Sequence, residues 1–210
     1  MQKLAILVTK LSSWVLSKMG RGGSMPGRLG IKIAPDCLNH LKFGGPVILV
    51  TGTNGKTSTA NMVSDLMEEA GYKVVTNRKG DNLRVGITST LLSHCSLSGR
   101  VKADAAVLEV DELNMKYIVP ALPVTAIVVN NFFRDQLDRA GEMERIIDTI
   151  ESVLPDYQGD LILNGNDPNV VRLAMAAPNA RKIYFGAAKN ASTVERSAEA
   201  AEGKFCPNCG

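Results

Sequence analysis

From Val47 onward, apolar residues follow two alternating patterns. Short runs of β-branched and aliphatic residues alternate with longer stretches in which apolar residues recur at a helical period. The runs predict strands at 47–51, 73–76, 105–110, 125–130, 160–163 and 182–185, and the stretches between them predict helices at 57–70, 84–95, 112–119, 141–153 and 168–177. This alternation favours an α/β fold with a mainly parallel sheet that is covered by helices on both faces.

The first 20 residues have a helical period of their own. An amphipathic helix would place one apolar stripe along its length, formed by Leu4, Leu7, Leu11, Trp14 and Val15. We expect this stripe to pack on the domain, and attachment to a membrane surface is the alternative. Lysines interrupt the apolar run well before the roughly 20 residues that a bilayer span needs, so we predict no transmembrane segment.

Shifts in composition divide the chain into segments. The glycine- and proline-rich stretch at 20–30 predicts a loop or hinge after the first helix. From about Ala187 the sequence becomes small, polar and charged, without a core period. We therefore predict an N-terminal helical segment at 1–45, an α/β domain at 46–187 and a surface excursion at 188–210.

Composition narrows the classes of function. The chain has 210 residues, of which 45% are hydrophobic, so it can bury a core of its own. The net charge is only +3, and no block of Lys and Arg is interleaved with aromatic residues, which argues against a nucleic-acid partner. Cys37 and Cys95 are isolated, whereas Cys206 and Cys209 form a CxxC pair, a pattern that favours a metal site in a reducing compartment over a disulfide framework.

The glycine-rich segment TGTNGKTS at 51–58 separates a predicted strand from a predicted helix. Gly52 and Gly55 let the backbone approach an anion closely, and the first amides of the helix point to the same place. Lys56 can reach the outer phosphates of a nucleotide, and Thr57 can bind magnesium. The strict phosphate-loop pattern has a further glycine five residues before Gly55, which this chain lacks, so an ordinary turn is the alternative. The strand before and the amphipathic helix after the segment favour the phosphate loop.

Acidic residues follow the strand predicted at 105–110. Glu109 ends an apolar run, and a buried carboxylate there requires a cation or hydrogen-bond donors. A magnesium ion held by Thr57 would supply the cation. The alternative is that Glu109, Asp111 and Glu112 only cap the next helix, since acidic residues favour first turns.

Polar residues also follow the strand predicted at 125–130. This group consists of Asn131, Arg134, Asp135, Gln136 and Asp138. A capped helix start accounts for some of them but not readily for all. Because ligands bind at the carboxyl ends of the strands in such sheets, we expect these residues to lie near the glycine-rich segment.

Five motifs together resemble the central ATP-binding domain of the Mur ligases in order and spacing. They are GTNGKTS at 52–58, GDN at 80–82, LEVDE at 108–112, NNFFRDQLD at 130–138 and LNGNDP at 163–168. The resemblance covers about residues 45–186. It implies an enzyme that uses ATP and Mg²⁺ to join an amino group to a carboxylate through an acyl phosphate.

The resemblance also implies roles for individual residues. The catalytic residues would be Lys56, Glu109 and, by analogy alone, Asn82. The phosphates of ATP would be bound by Gly52, Thr53, Asn54, Gly55, Lys56, Thr57, Ser58 and Asn131. Magnesium would be bound by Thr57, Glu109, Gln136 and Glu151.

Two of these magnesium ligands depart from the family pattern. Gln136 stands where the family commonly has histidine, and its carbonyl oxygen is a hard, neutral donor suited to magnesium. Glu151, counted without gaps, stands where several Mur ligases have a lysine that must be carbamylated to become an anion. The alternative for Glu151 is a solvated residue on a helix face.

The CPNCG sequence at 206–210 has the composition of a zinc knuckle. Cys206 and Cys209 would supply two of the four ligands of a structural Zn²⁺ ion. Relatives in one branch of the Mur ligase family continue with a second CxxC that completes a zinc ribbon. We therefore expect this chain to be a fragment that stops inside its zinc insertion and that is inactive in isolation.

That branch comprises the ligase subunits of enzymes that amidate the D-glutamate of lipid II. The resemblance implies a glutamine amidotransferase partner (GatD-like), a lipid-linked peptidoglycan precursor as substrate, and a cytoplasmic location that includes the inner membrane surface, where lipid II is made. One alternative is another Mur ligase or a folylpolyglutamate synthase, which adds an amino acid. The other is a truncated nucleotide-binding or partner-binding module without activity.

Overall fold

The structure, a computed structural model, describes residues 1–20, 23–77, 81–133 and 140–188. The strands are β1 (Val47–Thr51), β2 (Val74–Thr76), β3 (Ala105–Glu109), β4 (Ala126–Val129), β5 (Asp160–Asn164) and β6 (Arg181–Phe185). The α-helices are α1 (Gln2–Lys18), α2 (Met25–Ile33), α3 (Lys56–Glu69), α4 (Arg84–His94), α5 (Met115–Ile118), α6 (Ala140–Glu151), α7 (Pro168–Val171) and α8 (Leu173–Ala176). Short 3-10 helices lie at Cys37–His40, Glu112–Asn114 and Val119–Ala121.

The strands form one sheet of six in the order β2-β3-β1-β4-β5-β6. Every neighbouring pair is parallel. Strand β1, which leads into the glycine-rich segment, therefore lies between β3 and β4 near the centre of the sheet. The predicted parallel α/β sheet is confirmed.

Apolar side chains of the central strands alternate between two clusters. Leu49, Leu108 and Ile127 belong to the larger cluster, which also includes buried residues from several helices, among them α1, α4 and α6. Val50 and Val107 belong to the smaller cluster on the opposite face, where α3 contributes Ala60. Strands buried on both faces are typical of parallel sheets, which explains why these strands read as continuous apolar runs.

Helix α2 corrects the prediction of a loop at 20–30. Pro26 lies in the first turn of α2, where a missing amide hydrogen costs no helical bond. Gly27 and Gly30 are buried against neighbouring helices: a Cβ atom on Gly27 would lie 1.9 Å from the carbonyl oxygen of Val85, and one on Gly30 would lie 2.6 Å from Oγ1 of Thr9. These glycines therefore permit close helix packing, whereas the glycine- and proline-rich composition of this stretch had suggested a loop.

Helix α1 packs on α2 and α4, and these three helices are called the N-terminal helical layer below. The predicted helix is confirmed, but the predicted packing face is wrong. The residues that α1 buries are Ala5, Ile6 and Thr9. The side chains of the predicted stripe are exposed, namely those of Leu4, Leu7, Leu11, Trp14 and Val15. Apart from Ile6, the residues that pack inward are small, and Thr9 lies against Gly30 of α2. The five bulky residues of the stripe point outward.

Residues upstream of the sheet share its larger apolar cluster. Ala5, Ile6, Cys37 and Leu38 are buried together with residues of the strands. The division at 45 therefore stays a prediction, and nearly all of the segment from 188 onward lies outside the described residues. No helix in the described ranges is both long and apolar enough to cross a bilayer.

Candidate nucleotide and magnesium site

The carboxyl edge of the sheet collects the polar residues that the sequence singled out. Because β3, β1, β4 and β5 are neighbours, the residues at their ends lie side by side. These are Glu109 at the end of β3, Thr51 at the end of β1, Asn130 just after β4 and Asn164 at the end of β5. Of the four, only Glu109 had been predicted as a site residue.

The loop between β1 and α3 has two glycines in the left-handed region of φ. Gly52 has a φ of 123° and Gly55 a φ of 78°, conformations that side chains disfavour. Gly52 also lies against the residues that follow β4, since a Cβ atom there would meet the backbone nitrogen of Asn131 at 2.9 Å. Helix α3 then begins with no side-chain cap and no acidic residue in its first turn, so its first amides remain available to an anion.

Two asparagines after β4 hold this loop in place. The side chain of Asn131 accepts a hydrogen bond from the Asn54 amide at 2.9 Å and donates one to the Asn54 carbonyl at 3.1 Å. The carbonyl of Asn131 also accepts a bond from the Thr53 amide at 2.8 Å. Asn130 is buried, and it donates to the hydroxyl of Thr59 at 3.0 Å. Asn131 thus positions the loop backbone. Asn130, which was not predicted as a site residue, does so as well, because its side chain donates to the Asn54 carbonyl at 3.3 Å.

Glu109 is 4% exposed, and both of its carboxylate oxygens accept hydrogen bonds. Thr57 donates its hydroxyl to Oε2 at 2.7 Å, and Asn82 donates its amide to Oε1 at 2.9 Å. The structure therefore brings together three predicted site residues that are far apart in the sequence. Thr57 and Glu109 present oxygen donors, the type that Mg²⁺ prefers.

Asn77 fixes the end of β3 and was missed by the sequence analysis. Its side chain accepts from the Glu109 amide at 2.9 Å and donates to the Glu109 carbonyl at 2.8 Å. Asn77 is buried directly after β2, so its place just past an apolar run was the available signal. This pair of bonds fixes the backbone from which the Glu109 carboxylate projects.

Lys56 is folded back onto its own loop. Its ammonium group donates to the carbonyls of Gly52 at 2.6 Å and Thr53 at 3.1 Å, and it lies 3.3 Å from Oε1 of Glu112. Both partners of this ion pair are largely buried, with side-chain exposures of 14% for Lys56 and 8% for Glu112. The capping interpretation holds for Asp111, whose side chain accepts from the Leu113 amide. Glu112 instead neutralises the lysine of the loop.

A pocket of about 290 Å³ opens beside the loop. The tripeptide 131–133 forms one wall. The other wall is formed by Asn164 at the end of β5 and by the segment that follows, which includes Asn166 and Asp167. Asp167 accepts a hydrogen bond from the Phe132 amide at 2.8 Å. The LNGNDP motif contains these three residues, which were not predicted as site residues.

Of the remaining predicted metal ligands, only Glu151 lies within the described residues. Glu151 pairs with Arg172 at 3.2 Å, and Arg172 also binds Glu144. The magnesium role of Glu151 stays a prediction, as does that of Gln136, which lies outside the described ranges. Cys206 and Cys209 lie outside them too, so the zinc site is untested. In the parts that the structure describes, no group of three or more His, Cys, Asp and Glu side chains could hold a metal.

Comparison with known proteins identifies the class to which this chain belongs. Residues 50–207 match the family model for the Mur ligase middle domain. This match spans most of the chain, from the end of β1 onward, and includes every motif of the predicted site. The chain belongs to the Mur ligase family.

One relative within that family matches along the whole chain. The chain is 32% identical over 211 residues to the MurT subunit of the glutamine-hydrolysing lipid II isoglutaminyl synthase of Staphylococcus aureus (strain COL). The resemblance to the branch inferred from the sequence is thereby confirmed. The alignment covers 100% of this chain and 47% of that protein, so the chain spans about half the length of this relative.

Solved structures confirm the fold. MurF ligase from Thermotoga maritima in complex with ADP superposes with a TM-score of 0.56 at 18% identity, over 78% of this chain and 35% of that one. A bifunctional folylpolyglutamate synthase/dihydrofolate synthase with Mn, AMPPNP and L-glutamate gives 0.53 at 17% identity, over 73% and 46% of the two chains. At these identities the likeness concerns the fold alone.

Proposed function

We propose that this chain is the nucleotide-binding part of an ATP-dependent amide ligase that acts in peptidoglycan synthesis. The observation that carries the proposal is the contact between Thr57 and Glu109 at the start of α3, where no side chain caps the first amides of the helix. A triphosphate would lie against the loop, and the ammonium group of Lys56 would turn from the carbonyls of its own loop to the outer phosphates.

The residues present fit a magnesium ion. Thr57 and Glu109 offer a hydroxyl and a buried carboxylate with oxygen donors, and Asn82 orients the carboxylate from the opposite side. The ion, when bound, would neutralise charge on the phosphates. The open pocket beside Asn131 and Asp167 would receive the nucleoside end of ATP. No part of this proposal depends on zinc.

The proposed reaction follows the relative's branch of the family. The γ-phosphoryl group passes from ATP to an oxygen of the α-carboxylate of D-glutamate in lipid II, and it leaves ADP and an acyl phosphate. Ammonia released from glutamine by an amidotransferase partner attacks the acyl carbon, and inorganic phosphate and a proton depart. Such a transfer requires mainly positioning and charge neutralisation, which the loop, Lys56 and Glu109 supply.

The first test is nucleotide binding by the chain itself. Titration calorimetry with AMPPNP and Mg²⁺ should detect binding, and Lys56→Ala should weaken it about 100-fold, because a charge-assisted contact to phosphate is lost. Lys73→Ala is the matched control, because Lys73 is exposed just before β2 and so lies at the amino end of that strand, away from the carboxyl edge of the sheet. Equal affinities in the two variants would refute the phosphate assignment of Lys56.

The second test separates the candidate reactions. Phosphate release is measured with ATP, a lipid-linked muropeptide and either ammonium chloride or an amino acid, with and without a glutaminase partner. Turnover with ammonium chloride supports amidation. Turnover with an amino acid alone would overturn it in favour of an amino-acid-adding ligase. Tight nucleotide binding without turnover under all conditions would identify a binding module instead.

A further inference from the structure

The exposed face of α1 is unusual for a helix that packs on a domain. Five large apolar side chains lie on it in a stripe that runs most of the length of the helix, and they are Leu4, Leu7, Leu11, Trp14 and Val15. Leu11 is 64% exposed and Trp14 is 60% exposed. The opposite face is already occupied, because Ala5 and Thr9 are buried against the rest of the layer. The stripe therefore has no partner in the described part of the chain.

The charged residues of α1 itself have a single sign. Lys3 and Lys18 are exposed at its two ends. Lys10 points elsewhere, because its ammonium group donates to the Ser93 carbonyl at 2.8 Å. The sequences of α1, α2 and α4 contain no aspartate or glutamate. The first 45 residues contain seven of the chain's 24 Lys and Arg residues but only one of its 21 Asp and Glu residues.

We infer that α1 lies flat on an anionic phospholipid surface and attaches the domain to it. An apolar face of leucines and one tryptophan suits the boundary between headgroups and acyl chains, where Trp is favoured. Lysines at the ends of the stripe place their ammonium groups among the phosphates while their methylene stems cover apolar surface. A protein partner would need acidic side chains placed opposite the lysines at both ends of the stripe. An anionic membrane surface carries negative charge along its whole extent and meets this requirement without such placement.

This inference does not depend on the proposed function. It concerns a surface built from α1, whereas nucleotide binding concerns the loop between β1 and α3. A chain that failed to bind ATP could still bind vesicles, and the reverse also holds. The two failures are therefore distinguishable.

Trp14 makes a direct test possible, because it is the only tryptophan of the chain. Vesicles of phosphatidylcholine with 30% phosphatidylglycerol are titrated into the chain, and intrinsic fluorescence is recorded. We expect a blue shift of the emission, quenching by lipids brominated on the acyl chain, and co-sedimentation that weakens at high salt. Vesicles of phosphatidylcholine alone should bind at least tenfold more weakly.

Variants test the contribution of each part of the surface. Leu7→Ser combined with Leu11→Ser should lower the partition coefficient at least tenfold. Met62→Ser combined with Leu66→Ser is the matched control, since both residues are exposed on α3 beside acidic neighbours, and it should not change partitioning. Lys3→Glu with Lys18→Glu should reduce binding to anionic vesicles, whereas Lys73→Glu with Lys102→Glu should not.

Three results would overturn the inference. The first is an unshifted Trp14 emission and no co-sedimentation with anionic vesicles. The second is equal loss of binding in the α1 and α3 variants, which would show non-specific adhesion. The third is a concentration-dependent dimer in light scattering that Leu7→Ser with Leu11→Ser abolishes while vesicles do not bind, which would assign the stripe to a second copy of the chain.

Discussion

The carboxyl edge of the sheet and the N-terminal helical layer are organised in opposite ways. At the edge, long-range hydrogen bonds from Asn77, Asn130 and Asn131 hold polar groups in place. In the layer, the absence of side chains at Gly27 and Gly30 lets the helices meet, and the five large residues of the α1 stripe point outward. The polar edge therefore depends on the side chains that make hydrogen bonds there, whereas the helical layer depends on positions that have no side chain.

The largest effect should come from filling the layer. Gly27→Ala would place a methyl group 1.9 Å from a backbone oxygen of α4, so the helices must move apart. We expect the free energy of unfolding to fall by about 3 kcal/mol, measured by urea denaturation. Gly44→Ala is the control, because its added Cβ would meet nothing closer than 3.8 Å. Similar stability of the two variants would contradict the close packing of this layer.

An intermediate effect should come from loosening the edge. Asn131→Ala removes two hydrogen bonds to Asn54 in the loop. Without these bonds the loop is no longer fixed before the nucleotide binds. We therefore expect the affinity for Mg·AMPPNP, measured by titration calorimetry, to fall about tenfold, or by about 1.4 kcal/mol. Asn179→Ala removes a hydrogen bond to Pro155 away from the loop and should leave affinity unchanged. An unchanged affinity for Asn131→Ala would mean that the loop holds its shape without this residue.

The smallest effect should come from trimming the outer face of the layer. Leu7 is 50% exposed, and alanine has a helix propensity at least as good, so Leu7→Ala should change the free energy of unfolding by less than about 0.5 kcal/mol. Leu66→Ala on α3 should behave alike, since Leu66 is also exposed. A loss above about 1 kcal/mol for Leu7 alone, in urea denaturation, would mean that the stripe packs on the chain after all.

Sequence reasoning succeeded where the signal is local. The alternation of apolar runs predicted all the strands, and the glycines before Lys56 predicted the loop, because each pattern lies within a few neighbouring residues. Glu109 was found because it ends an apolar strand. Its contact with Thr57 also required β3 to lie beside β1, which the order of strands along the chain does not reveal.

The failures share a different cause. Asn77 and Asn130 were overlooked because their function is to bind the chain at Glu109 and Thr59, which are 32 and 71 residues away from them. The stripe on α1 was assigned to the core because a helical period identifies an apolar face without saying whether another helix covers it. Gly27 and Gly30 read as loop residues, since glycine in a turn and glycine in a close helix contact look the same in one sequence.

The tripeptide after β4 connects the two halves of the proposed nucleotide site. Asn131 binds Asn54 of the loop, the Phe132 amide binds Asp167 at the pocket, and the Phe133 amide binds the Thr53 hydroxyl. These bonds fix the spacing between the loop, where we propose that the phosphates lie, and the pocket, where we propose that the nucleoside lies. A nucleotide that spans both halves of the proposed site would therefore order little of the protein when it binds. A shorter fragment would contact only one half.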